Sequence, residues 1–408
     1  MNAKTQRALL ADFAHCWHPF TPQDAWTTPG HKPVVIESGQ GVWLTDTEGR
    51  RYIDGNSSIW TNIHGHGHPR IVAAIQDQAA RIAHSSFLGY THPLAGDLAE
   101  RLCSFFPGSD LTRVFFSDNG STAIEAALKM SLQSRQQTGE GKRIGIIAFD
   151  NAYHGDTLGA ASMGGVERFF KRFEGLGLPV TRVGDMDALK ALPPAALHSV
   201  SALIIEPLIQ GVNQMTPWPQ GMLRQLADFC RELGIHLILD EVMTGFGRTG
   251  SMFACQQEGV VPDFLCLAKG LTGGTVPLAA TLTTRAIYES FSGSAENAFY
   301  YGHSYTANPI GCAAALASLD VFEEESTLET LPGKVAHFHN LLQSTGQPFR
   351  QCGLIAGLDV PDAPATITHL RQHQVLTRPI LNTIVLMPPL SITKDELTTL
   401  LTPLRSAR

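Results

Sequence analysis

Two hydrophobic rhythms run along this chain. Over residues 33–54, PVVIESGQGVWLTDTEGRRYID, apolar and polar positions alternate around a turn at Glu48 and Gly49, which predicts a small antiparallel meander. After about residue 95, short apolar strands alternate with helical stretches, the pattern of β-α units on a mostly parallel sheet. Between Gln220 and Leu233 the apolar residues Leu223, Leu226, Phe229, Cys230 and Leu233 recur at helical spacing, with Gly234 placed to end that helix before the strand IHLILD. Asn308 and Pro309 read as the N-cap and first-turn proline of the Ala-rich helix IGCAAALASLDVF. From about residue 325 the pattern is that of a separate α+β lobe.

The chemistry-bearing residues come directly after the predicted strands. TRVFF leads into SDNGSTAIEAALKM, IGIIAF into DNAYHGDT, ALII into EPLIQG with Glu206 at its head, HLIL into DEVMTGFGRTG, and DFLCLA into Lys269. In open parallel sheets ligands collect outside the carboxyl ends of strands, so five strands deliver polar or aromatic groups to one edge.

Composition narrows the classes. The 408 residues, 43% of them hydrophobic, are enough for a large core and two domains or one domain with a substantial lobe. A net charge of -7 without a basic block argues against a nucleic-acid partner. Lys4, Arg7 and Asp12 interrupt the N-terminal apolar residues, so no signal-peptide core forms. No apolar run approaches the roughly 18 residues that span a membrane. Seven cysteines without a C-x-x-C pair argue against both a disulfide framework and a zinc ribbon, and a reducing cytoplasm is the simplest compartment.

A lysine at the end of an apolar strand either reaches water or has its amine used, because an unpaired buried ammonium is costly. Lys269, in CLAKGLTGG, is such a lysine. Gly120 and Ser121 open a helix whose free N–H groups suit a phosphate. Tyr153 is suited to cover a planar ring. Asp240 ends a strongly apolar strand and needs a cationic partner to stay ionised, which a pyridinium nitrogen would supply. Phosphate, ring, pyridinium and a lysine-reactive aldehyde together describe pyridoxal 5'-phosphate. Other motifs weigh less. Gly245 to Gly250, GFGRTG, fits the dinucleotide fingerprint of an NAD-dependent oxidoreductase, but Asp240 and Glu241 stand between strand and glycines and no helix is announced there. His64, His66 and His68 of HGHGH, separated by glycines and followed by Pro69, read as a turn near the pocket, and no metal is expected.

The segments LILDEVMTGFGRTG, LAKGLTGG, DNAYHGDT and GHSYTANP resemble the signatures of class III, pyridoxal-phosphate-dependent aminotransferases of fold type I, in matching order over nearly the whole chain. That resemblance implies an α/β fold with a mostly parallel central sheet flanked by helices, residues 61–324 forming the large cofactor domain, and 1–60 with 325–408 forming a smaller α+β domain from both chain ends. It implies Lys269 as the Schiff-base lysine, Asp240 as the ring-nitrogen partner, Tyr153 stacking on the ring, Val242 on its other face, and Gly120 and Ser121 on the phosphate. Glu206 joins the cofactor set. Ser304, with Thr306 as the alternative, would reach the phosphate across a homodimer interface. WHPF, SSIW, HGHGHP, LTRP and LMPPL are further similar to the members that aminate 8-amino-7-oxononanoate in biotin biosynthesis. A long aliphatic keto acid needs an apolar channel ending in a cation, for which Trp60 and Arg378 are the candidates. Phe20, Asp156, Arg248 and Gly302 complete the substrate set implied by the resemblance. Phe20 stands where many members using S-adenosylmethionine as donor have tyrosine, and Ile59 occupies a second tryptophan-like position. S-adenosylmethionine is the first expectation for the donor. Lysine, or another branch acting on an ω-amino acid or diamine, is the alternative.

Overall fold

A computed structural model of the chain describes residues 1–173 and 175–405, so the last three residues of the stretch 325–408 lie outside the described residues. Its centre is a seven-stranded sheet in the spatial order Leu111–Ser117, Ala279–Thr284, Phe264–Leu267, His236–Asp240, Val200–Ile205, Gly145–Phe149, Val180–Val183. Ala279–Thr284 runs antiparallel to both neighbours, and the other six strands point one way. The continuous apolar runs arise because both faces are covered. Along the central strands Ile204, Ile238 and Phe264 pack on one face with Ala123, Ile124 and Ala127 of the helix Gly120–Gln137. The alternate residues Leu203, Leu237, Leu239 and Leu265 join the core on the other face. Each such side chain removed from water contributes about 1.5–3 kcal/mol.

The expected helix spans Met222–Leu233 and stops at Gly234, whose left-handed φ of 61° lets its N–H reach back to Cys230 and Arg231. Asn308 caps Pro309–Glu324 by accepting from the N–H groups of Ile310 and Gly311. Two strands are not announced by the sequence pattern. AATLTT of Ala279–Thr284 has a single bulky apolar residue, and VTRV of Val180–Val183 is a short edge.

Both chain ends build the smaller α+β part. Ile36–Gln40, Trp43–Asp46 and Arg51–Asp54 form the meander, and Val375–Leu376 adds to its last strand in parallel. The Glu48–Gly49 turn is held by Asp46 Oδ1, which accepts from the N–H groups of Glu48 and Arg50. A second, antiparallel sheet orders Phe349–Cys352, Ile355–Asp359, Thr383–Leu386 and Pro379–Ile380. Among the described residues no helix is long and apolar enough to cross a membrane.

Candidate active site

The ends of five strands of the central sheet open into one cavity of about 820 Å³. Asn119, Gly120 and Ser121 come after Leu111–Ser117, Tyr153 after Gly145–Phe149, and Glu206, Asp240 and Lys269 stand at the ends of the other three. Strand direction explains the convergence, since the polar residue ending each apolar run falls at the same sheet edge.

Asn119 closes the start of the Gly120–Gln137 helix by a reciprocal pair of bonds with Thr122. The N–H groups of Gly120 and Ser121 have no partner among the described residues and can meet an anion. A Cβ at Gly120 would lie 2.8 Å from Val242 Cγ1, so glycine lets the helix start and Val242 approach closely. Asp240 is buried; its Oδ2 accepts from His154 Nδ1 at 2.8 Å and its Oδ1 from Val242 N at 3.1 Å. His154 lines the cavity, and its buried Nε2 has no partner among the described residues. Glu206 is buried, accepts from the N–H groups of Tyr153 and Gly211, and is pushed up to about 7 by that burial. The Tyr153 hydroxyl donates to Asp156 at 2.7 Å, and burial with this bond pushes its ionisation upward.

Lys269 has a left-handed φ of 46°. Enclosure brings its amine down to about 8, against the opposing pull of Asp240 and Glu206. Its Nζ lies 4.9 Å from the centre of the Trp60 ring. Trp60 belongs to an unusual segment: Ser57, Ser58, Ile59 and Trp60 all have left-handed φ, at 46°, 48°, 68° and 65°. Such a turn costs about 1–2 kcal/mol per non-glycine residue and persists only where its surroundings enforce it. Here Asp54 accepts from Asn56 N and Ser58 Oγ, Ser57 Oγ donates to Met387 O, and Trp60 Nε1 donates to Asn56 Oδ1.

Arg378 lines the cavity with Pro379, Ile380 and Leu381, and its guanidinium has no hydrogen bond or ion pair among the described residues. Phe20 reaches the cavity from the N-terminal segment and meets Phe169 edge-on at 5.9 Å. Phe169 in turn meets Tyr153 at 5.2 Å. Asp156 stays at the surface as the acceptor of the Tyr153 hydroxyl.

Of the residues expected at the site, Arg248 and Gly302 do not line this chain's cavity, and neither do Ser304 and Thr306, which are expected to act across a dimer interface. Arg248 is only 1% exposed and does not line the cavity; it donates to the carbonyls of Pro388 and Asn62, and burial lowers it to about 9. It therefore braces the backbone behind the Trp60 turn, close enough to Lys269 for its charge to act there. Gly302 and Ser304 are exposed, and Thr306 exchanges hydrogen bonds with the His303 backbone; none of these three lines this chain's own cavity. The histidines disperse: His64 bonds Ser318, His66 bonds Asp54 and His68 bonds Glu325. Among the described residues no group of three or more His, Cys, Asp or Glu could hold a metal. The structure also places in the lining several residues that were not expected, among them His154, Arg168 and Phe169. His154 sits next to Tyr153 in DNAYHGDT, within reach of a strand-end reading, whereas Phe169 lies in a segment without periodicity.

Pyridoxal 5'-phosphate requires an amine for its aldehyde, an anion for its ring nitrogen, flat apolar contacts for its ring and N–H donors for its phosphate. The cavity offers an unpaired Lys269 amine, the buried Asp240 carboxylate, Val242 with Tyr153, and a helix start held open by glycine. The residues fit the group. Fold and site together define a fold type I enzyme dependent on pyridoxal phosphate. Residues 26–407 match the model of the family described as Aminotransferase class-III. The chain belongs to the class III aminotransferases. A protein of Synechococcus elongatus is 45% identical over 94% of this chain and 96% of its own length. One of Nitratidesulfovibrio vulgaris is 43% identical over 99% of this chain and 82% of its own. Both are named adenosylmethionine-8-amino-7-oxononanoate aminotransferase. The crystal structure of the aminotransferase so named from Methanocaldococcus jannaschii superposes with a TM-score of 0.95 at 37% identity, covering 98% of each chain.

Proposed function

We propose that this aminotransferase converts 8-amino-7-oxononanoate to 7,8-diaminononanoate in biotin biosynthesis, with S-adenosylmethionine as amino donor. The observation that carries the reading is Arg378: an arginine without a counter-ion in a mainly apolar cavity that also holds Lys269 suits a long aliphatic chain ending in a carboxylate. The near-full-length similarity to proteins of that name supports it.

When bound, pyridoxal phosphate supplies an aldehyde that accepts amines and a protonated ring that stores electrons as a C–H proton departs. Gly120 and Ser121 would hold its phosphate, Asp240 would pair with its ring nitrogen, and Val242 and Tyr153 would confine its ring. Lys269 Nζ, lowered to about 8, holds no proton in a useful fraction of molecules near neutral pH, so it can take a proton from the donor carbon and return it. Arg378 fixes the acceptor's carboxylate, while Trp60 and Phe20 contact its methylenes. Donor and acceptor occupy one cavity in turn, which gives ping-pong kinetics. The active unit is a homodimer in the cytoplasm, with Ser304 or Thr306 of each subunit completing the other's phosphate site. Leu88, Tyr90, Tyr300 and Tyr305, exposed by 89, 73, 82 and 61%, are the kind of surface a second copy covers.

Purified protein given 8-amino-7-oxononanoate and either S-adenosylmethionine or lysine tests the assignment. Diamine formed with S-adenosylmethionine is expected, and diamine with lysine alone replaces the donor. Failure with both, while γ-aminobutyrate or ornithine serves, moves the chain to another branch of the family.

A further inference from the structure

We propose that Trp60 is a positioning residue for Lys269, its indole face holding the free ammonium inside the cavity whenever the amine is not bonded. This deepens the proposed role of Lys269 and rests on it. Three observations carry it. Lys269 Nζ lies 4.9 Å from the Trp60 ring centre, while no hydrogen bond or salt bridge holds it among the described residues. The ring is locked: Nε1 donates to Asn56 Oδ1 at 2.9 Å, and a Cβ at Gly211 would lie 3.2 Å from its Cζ3. Both partners also sit on left-handed backbone, Trp60 at φ 65° and Lys269 at φ 46°, in segments that touch directly. A Cβ at Gly274 would fall 2.3 Å from the Thr61 carbonyl carbon, and Ile63 N donates to Gly273 O. Strain at both ends of one contact is what a fold retains where it needs the contact.

A ring face suits this lysine better than a carboxylate would. It attracts the cation without fixing a direction, so Nζ can lose its proton and move without leaving an ionic partner unpaired. The charges facing Nζ are Asp240 and Glu206, which favour the ammonium, and Arg248 and Arg378, which oppose it. Trp60 thus adds a neutral source of attraction where the net field is divided.

The test replaces Trp60 alone by mono-, di- and trifluorinated tryptophan, which weakens the ring's attraction for cations while keeping its shape. Full-length protein freed of cofactor is labelled with an amine-reactive reagent across pH 7–11, and Lys269 is read by peptide mass spectrometry against exposed Lys142. The expected result is a stepwise fall in the Lys269 pKa, reaching about half a unit to one unit across the series, with unchanged melting temperature. A flat series overturns the proposal, even if Trp60→Phe shifts the pKa, because that variant also alters packing. The labelling needs no cofactor, so a borohydride adduct trapped on another lysine would refute the role of Lys269 and leave this result standing, and the reverse holds equally.

Discussion

Arg378 and Lys269 have opposite relations to their surroundings, and each leads to a measurement. Arg378 waits for a partner, so Arg378→Ala should raise KM for the carboxylate-bearing acceptor roughly 10- to 100-fold, the worth of a charge-assisted hydrogen bond, and leave the donor half-reaction nearly unchanged. Equal losses in both half-reactions would remove it from the acceptor's carboxylate. Lys269 is disfavoured as an ammonium, with a folded value of about 8 against 10.5 in a free chain. Between those values the native state binds fewer protons than the unfolded state, so this residue's contribution to stability improves as pH rises through the window. Below about 8 the penalty is complete. Lys269→Met should therefore stabilise cofactor-free protein at pH 7 by on the order of 3 kcal/mol, and the gain should vanish above about pH 10.5, as followed by thermal melts at each pH. A gain constant with pH would mean that packing, not charge, is responsible.

At the level of elements, the start of the Gly120–Gln137 helix is the sharpest constraint. Gly120→Ala places a methyl 2.8 Å from Val242 Cγ1, and overpacking of this kind costs about 1–3 kcal/mol. Cofactor affinity, titrated by absorbance, should fall roughly 10- to 100-fold. Val242→Ala in the same chain should restore part of it, and no restoration would place the cost elsewhere. The strands leading to the site are legible in the sequence because burial on both faces makes them continuous apolar runs, and the residues beyond them, Asn119, Tyr153, Glu206, Asp240 and Lys269, are chemically conspicuous. The left-handed turn Ser57–Trp60 is not legible. SSIW contains no glycine, and its shape is imposed by Asp54, Asn56 and Met387, the last from the far end of the chain. The inward turn of Arg248 is hidden for a related reason: a motif fixes a residue's position on the chain, but not that its side chain donates to the Asn62 and Pro388 carbonyls.

Across the whole molecule, residues brought from both chain ends finish the cavity. Phe20 and Arg378 line a cavity whose polar groups Asn119, Tyr153, Glu206, Asp240 and Lys269 lie between residues 119 and 269, so on the proposed reading the residues from the chain ends would select what enters. The segments carrying Leu88, Tyr90 and Tyr305 are tied together by His92 Nε2 with Ala307 O and Asn308 Nδ2 with Ala83 O. If a second copy covers them, Leu88→Glu should shift light scattering from dimer to monomer and weaken cofactor binding as the partner's Ser304 and Thr306 are withdrawn. A monomeric wild type would refute that arrangement. The most direct measurement on the central claim, that Lys269 bonds the cofactor, is to load the enzyme with pyridoxal phosphate, reduce it with borohydride and map the modified peptide. A yellow protein whose single stable adduct lies on Lys269, absent from Lys269→Ala, is the expected result. A colourless protein, or an adduct on any other lysine, would contradict it.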